Sequence, residues 1–221
     1  LSEPLRKVAN FCQLIERQYG DRLDERGRQY VDFAVDGAKR MQVLISDLLA
    51  LSRVGRTTER FVQIDLDRKL DQALAGLSDK IDESGALIER PVRLPIVDGD
   101  RSLLISLFEN LIGNAIKYRR ADVAPVVRVF AEHDEPARMW TVSVSDNGIG
   151  IDPQYAERIF VVFQRLHLRD EYGGTGIGLA LCRKIVEFHG GQIWLDPVQS
   201  GSGATFRFTI PESGSRAESR D

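Results

Sequence analysis

With 221 residues, 43% hydrophobic and 29% charged, the chain has the composition of a folded globular protein rather than a disordered one. Its net charge of −3 excludes a general nucleic-acid binder and gives no drive towards an anionic membrane. No apolar run approaches the ~20 residues of a membrane span, no signal peptide is visible, and Cys12 and Cys182 lack metal-ligand spacing, so a reducing, cytoplasmic setting is expected.

Leu1, Leu5, Val8, Cys12, Ile15 and Tyr19 recur at alternating steps of four and three, an apolar seam along one helix. After Gly20-Asp21-Arg22 the pattern resumes with Tyr30, Ala34, Gly37, Met41, Leu44, Leu48 and Leu51, and Val31, Ala38 and Ile45 form a second stripe beside it. The two helices predict an antiparallel hairpin over residues 1–54. Such a hairpin leaves apolar surface wet, so it is expected to pair with a second copy as a four-helix bundle; packing on its own chain is the alternative. The polar run from Ser52 to Arg60 has no period, and residues 55–60 read as a linker.

A second domain is expected over 61–212. Phe61–Leu66 reads as a strand and Leu66–Leu77 as a helix, with short strands at Ala86–Glu89 and Leu94–Val97. Leu103, Leu104, Leu107, Phe108, Leu111, Ile112, Ala115 and Ile116 give the next helix a broad apolar face. Val126–Ala131 and Met139–Ser145 alternate as strands around a loop at His133–Ala137. Gly178–His189 is helical and is stopped by Gly190-Gly191. Gln192–Leu195 and Ala204–Ile210 finish as a hairpin, and the polar stretch 213–221 is expected to be a disordered tail. The expected fold is α+β: a helical hairpin, then an α/β sandwich whose mixed, mainly antiparallel sheet is covered by helices on one face.

Three motifs carry chemistry. Asn110 and Asn114 are four apart on one helical face, with Lys117 and Tyr118 on the next turn. Amide oxygens suit Mg²⁺, which fills the rest of its shell with water and substrate phosphates. Lys117 can meet a phosphate and Tyr118 a flat base. The plainer reading is the solvated side of an amphipathic helix. Asp146-Asn147-Gly148-Ile149-Gly150 ends a strand, where a carboxylate can accept from the exocyclic amine that distinguishes adenine from guanine. An ordinary Asn-Gly turn is the alternative. Gly173-Gly174-Thr175-Gly176-Ile177-Gly178-Leu179 opens a helix, where successive N–H groups and the helix dipole can cradle phosphates. It is neither a P-loop, since no Gly-Lys-Ser/Thr follows, nor a dinucleotide fingerprint, since Leu179 stands where a third glycine would. A flexible hinge is the alternative here.

In this order the motifs resemble the catalytic core of a two-component sensor histidine kinase, whose ATP-binding fold is shared with gyrase B, Hsp90 and MutL. Asn110–Lys117 resembles the family's N box, Asp146–Gly150 its G1 box, Ile159–Phe163 its F box and Gly174–Leu179 its G2 box, with Gly203-Ala204-Thr205-Phe206 as the closing glycine motif. The resemblance implies ATP and Mg²⁺ as cofactors. Nucleotide-binding positions would be Asn110, Asn114, Lys117, Tyr118, Asp146, Gly148, Ile149, Gly150, Arg165, Gly174, Thr175, Gly176, Ile177, Gly178, Leu179 and Thr205. Asn114 would hold the metal, Asn110 would help orient the reacting groups, Asp146 would read the adenine amine, and Thr205 would support it through a nearby hydrogen bond. The segment from about Ile151 to Gly173 would be a mobile lid carrying Arg165, His167 and Arg169. Glu3-Pro4-Leu5-Arg6 and Phe163-Gln164-Arg165-Leu166-His167 look like the phytochrome-type, light-sensing members.

The family's phosphoacceptor histidine precedes a stretch like Glu-Pro-Leu-Arg, which places it two residues before Leu1. The chain as it stands is then expected to bind ATP without phosphorylating itself, and to belong to a longer protein with an N-terminal sensor domain. Implied partners are a second copy of the chain and the receiver domain of a response regulator, with no nucleic acid and no membrane contact. The alternatives are a nucleotide-binding pseudokinase, a phosphatase-biased docking module, or a clamp ATPase. The last needs a glutamate base where this chain has Asn110.

Overall fold

A computed structural model describes residues 2–55, 61–164, 166, 174–196 and 203–214. Two helices, α1 (Ser2–Tyr19) and α2 (Glu25–Arg53), fold back on each other across a 3-10 turn at Gly20–Arg22. Asp24 caps α2 by accepting from the Gly27 N–H at 2.7 Å. Val35 and Ala38 are the buried residues of α2, and with half-buried Val31, Gln42 and Ile45 they form a heptad-spaced inward stripe. The seam expected from the sequence lies elsewhere: Tyr30 is 67% exposed and Met41 45%. The stripe expected to be secondary is therefore the one that turns inward. The reason is that both stripes are apolar, and periodicity alone does not say which of them faces α1.

Strand β1 (Val62–Asp65) runs into α3 (Leu66–Gly76), capped by Asp65, whose carboxylate accepts from the Asp67 N–H at 3.0 Å. The sequence reading missed the short helix α4 (Ser78–Ser84), which holds a single apolar residue, Ile81, and ends at Gly85 in the left-handed region (φ 63°). After β2 (Leu87–Glu89) and β3 (Ile96–Gly99) comes α5 (Arg101–Lys117), whose N-terminus is capped twice by Asp100, from Ser102 and Leu103. The remaining elements are β4 (Val126–Asp134), β5 (Met139–Asp146), α6 (Gly178–Phe188), β6 (Ile193–Leu195) and β7 (Thr205–Pro211).

Five strands form one sheet in the order β2-β4-β5-β7-β6, parallel only between β2 and β4; β1 and β3 make a separate antiparallel pair. The sheet is mixed and mainly antiparallel, with α5 and α6 against it. Val129 pairs with Val144 and Val144 with Phe206, so one sheet face is a continuous apolar row under α5. His133 and Asp134 belong to β4 rather than to the expected loop, because His133 pairs with Trp140 and stacks on its ring at 4.3 Å. The strand expected at Leu94–Val97 begins two residues later, at Ile96, while Leu94 is buried ahead of it. The expected tail is partly tied down: the Ser213 hydroxyl and the Gly214 N–H both donate to the Asp98 carboxylate, at 2.9 and 2.7 Å. Its remainder, 215–221, and linker residues 56–60 lie outside the described residues.

Buried His189 fastens this layer together. Its Nε2 accepts from the Asp100 N–H at 3.0 Å and its Nδ1 lies 2.7 Å from the Ile185 carbonyl oxygen, so the ring takes the neutral form with the proton on Nδ1. The capping residue of α5 is thereby tied to the end of α6.

Candidate functional site

Helix α5 presents Asn110, Asn114 and Lys117 on one face because its apolar residues, Leu104 to Ile116, are drawn to the sheet on the other. Opposite this face runs the loop Gly174–Ile177 leading into α6. A cavity of about 340 Å³ lies between them. Of the residues expected to bind nucleotide, it is walled by Asn110, Asn114, Lys117, Tyr118, Gly174, Thr175, Gly176, Gly178 and Leu179. Two stretches far apart in sequence thus line one cavity.

The two sides approach closely. A Cβ on Gly178 would meet the Asn110 side-chain oxygen at 2.5 Å, which is why glycine opens α6. Asn110 itself donates back to the Ser106 carbonyl at 2.8 Å, so its amide oxygen is the end left towards the cavity. The side chain of Asn114 makes no hydrogen bond among the described residues and lines the cavity. It is free to act as a ligand. The Lys117 ammonium donates to the Tyr118 hydroxyl at 2.9 Å and lies 4.4 Å from that ring's centroid. It also reaches Gly174, where an added Cβ would sit 2.7 Å from it. A cation thus stands beside Gly174 of the glycine loop.

Asp146, Gly148, Ile149, Gly150, Ile177 and Thr205 do not form the wall of this cavity. Asp146 ends β5 and is half-buried. Its Oδ1 accepts from the Gly148 N–H at 2.8 Å and the Ala204 N–H at 3.1 Å, and among the described residues no donor reaches Oδ2. Burial pushes its pKa above the ordinary aspartate value, and the two N–H bonds only partly oppose this. The Thr205 hydroxyl pairs with the Ser145 hydroxyl at 2.8 Å, next to Asp146 in the strand, and the backbone N–H of Ala204 donates to Asp146 itself. Antiparallel pairing of Ser145 with Thr205 points both side chains to one face, one residue away from Asp146.

The glycine turn after Asp146 is clamped to the end of α5. The Ile149 N–H donates to the Tyr118 carbonyl at 3.0 Å, and a Cβ on Gly148 would meet that oxygen at 2.5 Å. Asn147 faces away and has a structural task. Its side chain accepts from the Val126 N–H and donates to the Ala124 carbonyl, closing the start of β4.

The expected lid is packed over its first part. Ile159 and Phe160 are buried, Phe160 meets Phe206 edge-on at 6.3 Å, and the Arg183 guanidinium lies 4.5 Å above the Phe160 ring. Phe163, in contrast, is 59% exposed at φ 67°, held there by its N–H donating to the Gly176 carbonyl at 3.0 Å. Ile159 and Phe160 thus anchor this segment to the domain, while Arg165, His167, Arg169 and Gly173 lie outside the described residues.

Sequence reasoning missed three wall residues outside every motif: Lys80 of α4, and Val43 and Asp47 of α2. Lys80 sits in a polar heptapeptide with no local signal. Val43 and Asp47 could have been noticed only by asking what the last turns of the hairpin touch.

A fold of this kind with an Asn-bearing helix facing a glycine loop defines an ATPase class: residues 99–214 match the family described as histidine kinase-, DNA gyrase B- and HSP90-like ATPase. Residues 1–57 match the His Kinase A (phospho-acceptor) domain. The chain belongs to the sensor histidine kinases. It is 49% identical over its whole length to cyanobacterial phytochrome A of Nostoc sp., and 48% identical over 96% of its length to phytochrome-like protein Cph1 of Synechocystis sp.. In both cases it spans 28% of the relative. Among solved structures it is similar to full-length ShkA in complex with AMPPNP (TM-score 0.71, 26% identity, covering 96% of this chain and 43% of that one). No helix among the described residues is long and apolar enough to cross a membrane.

Proposed function

We propose that this chain binds Mg-ATP in the cavity between α5 and the Gly174–Gly178 loop and passes the γ-phosphate to a histidine of the helical hairpin, from which an aspartate on a response regulator receives it. The reading is carried by one observation: Asn110, Asn114 and Lys117 face Gly174–Gly178 across a single cavity, and the turn after half-buried Asp146 is bonded to the Tyr118 carbonyl at the end of the same helix. The AMPPNP bound to ShkA, a relative in fold and sequence, supports a nucleotide as the occupant.

The residues fit the ligand they are assigned. Asp146 Oδ2 accepts from the adenine amine, and the glycine turn at Gly148–Gly150 lets backbone run beside the ring. Tyr118 flanks the base. Lys117 swings from the Tyr118 hydroxyl to the phosphates, and Gly174, Thr175, Gly176, Ile177, Gly178 and Leu179 offer the N–H groups and dipole of the α6 start. Asn114, with an unbonded amide among the described residues, holds Mg²⁺. The metal neutralises phosphate charge when bound. Arg165 is assigned to the same phosphates. In the transfer, the imidazole nitrogen forms a P–N bond as the bond to the ADP oxygen breaks, and the imidazole proton leaves to solvent. Asn110, rather than a glutamate, beside the phosphates leaves water without a base, so hydrolysis is slow.

The hairpin is assigned to homodimerisation through its outward stripe, with a receiver domain docking on the bundle. The domain limits proposed are 1–54 for the hairpin, 55–60 for the linker and 61–212 for the nucleotide-binding domain. The decisive experiment extends the chain by His-Asp before Leu1 and adds Mg²⁺ and γ-labelled ATP. Acid-labile, base-stable label on the protein is expected. A folded, ATP-binding dimer that takes no label overturns the kinase reading, and steady phosphate release without label favours a clamp ATPase.

A further inference from the structure

Resting on the nucleotide reading above, we propose that Asp47 of the hairpin makes this site discriminate between nucleotides by phosphate number, favouring a nucleoside diphosphate over a triphosphate while α2 is docked. Asp47 is then a specificity-determining residue supplied by the element that is to be phosphorylated.

The last turns of α2 are built into the nucleotide-binding domain. Val54 is 4% exposed inside its core, and the Lys184 ammonium of α6 donates to the Leu51 carbonyl at 2.8 Å. Val43, Asp47, Leu51 and Val54 are spaced by four, four and three, so they lie on one helical face. That face meets α6 and the loop before it. Two of the four, Val43 and Asp47, line the cavity.

The contact at Asp47 is specific. The Thr175 hydroxyl donates to Asp47 Oδ2 at 2.5 Å, across 128 residues of sequence. Thr175 lies between Gly174, which touches the Lys117 ammonium, and Gly176. A carboxylate therefore occupies the donor-rich end of the cavity, where the α5 cation and the start of α6 converge. It engages a hydroxyl that a terminal phosphate would use, and it does so with the same sign of charge.

A diphosphate ends one phosphoryl group earlier and carries about one negative charge less, so it meets the carboxylate less. A triphosphate must either accept the repulsion or displace α2 from Thr175. The docked arrangement thus suits the product of transfer, and release of α2 accompanies entry of the triphosphate. The same helix then becomes free to move relative to the cavity.

The test measures dissociation constants for Mg-ATP and Mg-ADP by calorimetry on this chain and on Asp47→Asn, with Asp47→Ser as a second neutral variant. Asparagine keeps an acceptor for the Thr175 hydroxyl and removes only the charge. The expected result is that both variants bind ATP about tenfold tighter, with ADP affinity changed less than twofold. A charge-free variant that leaves the ATP-to-ADP ratio at the wild-type value overturns the proposal, since a purely structural hydrogen bond would behave in that way. Wild-type chain that binds neither nucleotide overturns the underlying nucleotide reading as well, and so separates the two failures.

Discussion

The helical hairpin and the sheet domain solve the same problem differently. In the sheet domain Phe108, Leu111, Ile112, Val142 and Phe208 are each 1% exposed or less, enclosed by the chain's own strands and helices. In α2 only Val35 and Ala38 are buried, while Val8, Phe11, Ile15, Tyr30, Phe33 and Met41 stand 42–67% exposed. The domain stabilises itself; the hairpin presents apolar surface that only a further contact can cover. The end of α2 is the exception, because Leu51 and Val54 join the core of the sheet domain. The site lies where the self-sufficient part meets the incomplete one.

The largest effect expected is in the sheet core. Phe208→Ala, which removes a fully buried ring packed 6.2 Å from Phe108, should lower stability by about 3–5 kcal/mol, read by urea unfolding. Phe33→Ala on the hairpin surface should stay within about 0.5 kcal/mol in the same assay run at protein concentrations below the dimer dissociation constant. Equal losses from the two would erase the contrast.

Outward residues of the hairpin should matter for association. Met41→Glu is expected to raise the dimer dissociation constant about a hundredfold in sedimentation equilibrium, since a charge then replaces apolar area in the proposed bundle. The melting of the sheet domain should not move; a large fall there would show that Met41 supports the chain's own core instead.

Nucleotide affinity should respond next. Asp146→Ala should weaken Mg-ATP binding about 10- to 100-fold, the order expected for loss of a buried, charge-assisted hydrogen bond. Unchanged affinity in a calorimetric titration would remove Asp146 from the site.

The smallest expected effect concerns pH. Burial raises the Asp146 pKa in the folded state, so the folded protein holds more protons than the unfolded chain between the ordinary aspartate pKa and the raised value. Stability contributed by this group therefore falls as pH rises through that window. Asp146→Asn, which can still accept from Gly148 and Ala204, should be the more stable protein at neutral pH. Its advantage should vanish once pH drops below both pKa values. ATP affinity of the unsubstituted chain should weaken on acidification through the raised value, as the carboxylate becomes neutral.

Much of the fold was legible because its signals are local. Leu66–Gly76, Arg101–Lys117 and Gly178–Phe188 are helices with strong period-3.6 apolar faces, and Met139–Asp146 alternates as a strand should. The paired amides and glycine loops of the site were legible for the same reason, since each motif is a short run of special residue types. What escaped lacked such runs. Helix α4 has one apolar residue, and Asp47 and Lys80 look like ordinary solvated charges. That the Thr205 hydroxyl bonds Ser145 depends on a cross-strand register, which sequence neighbours do not reveal.

By itself, then, the sequence determined most of the helices and strands, though not α4, and which residue types are available for phosphate, metal and base, because these depend on spacing along one element. Only the tertiary structure decided which hairpin stripe turns inward, that the Gly148 and Ala204 N–H groups hold Asp146, and that a hairpin carboxylate lines the cavity and bonds Thr175. Those outcomes depend on side chains far apart in the chain competing for the same space and the same hydrogen bonds, and that competition is settled only when the elements pack.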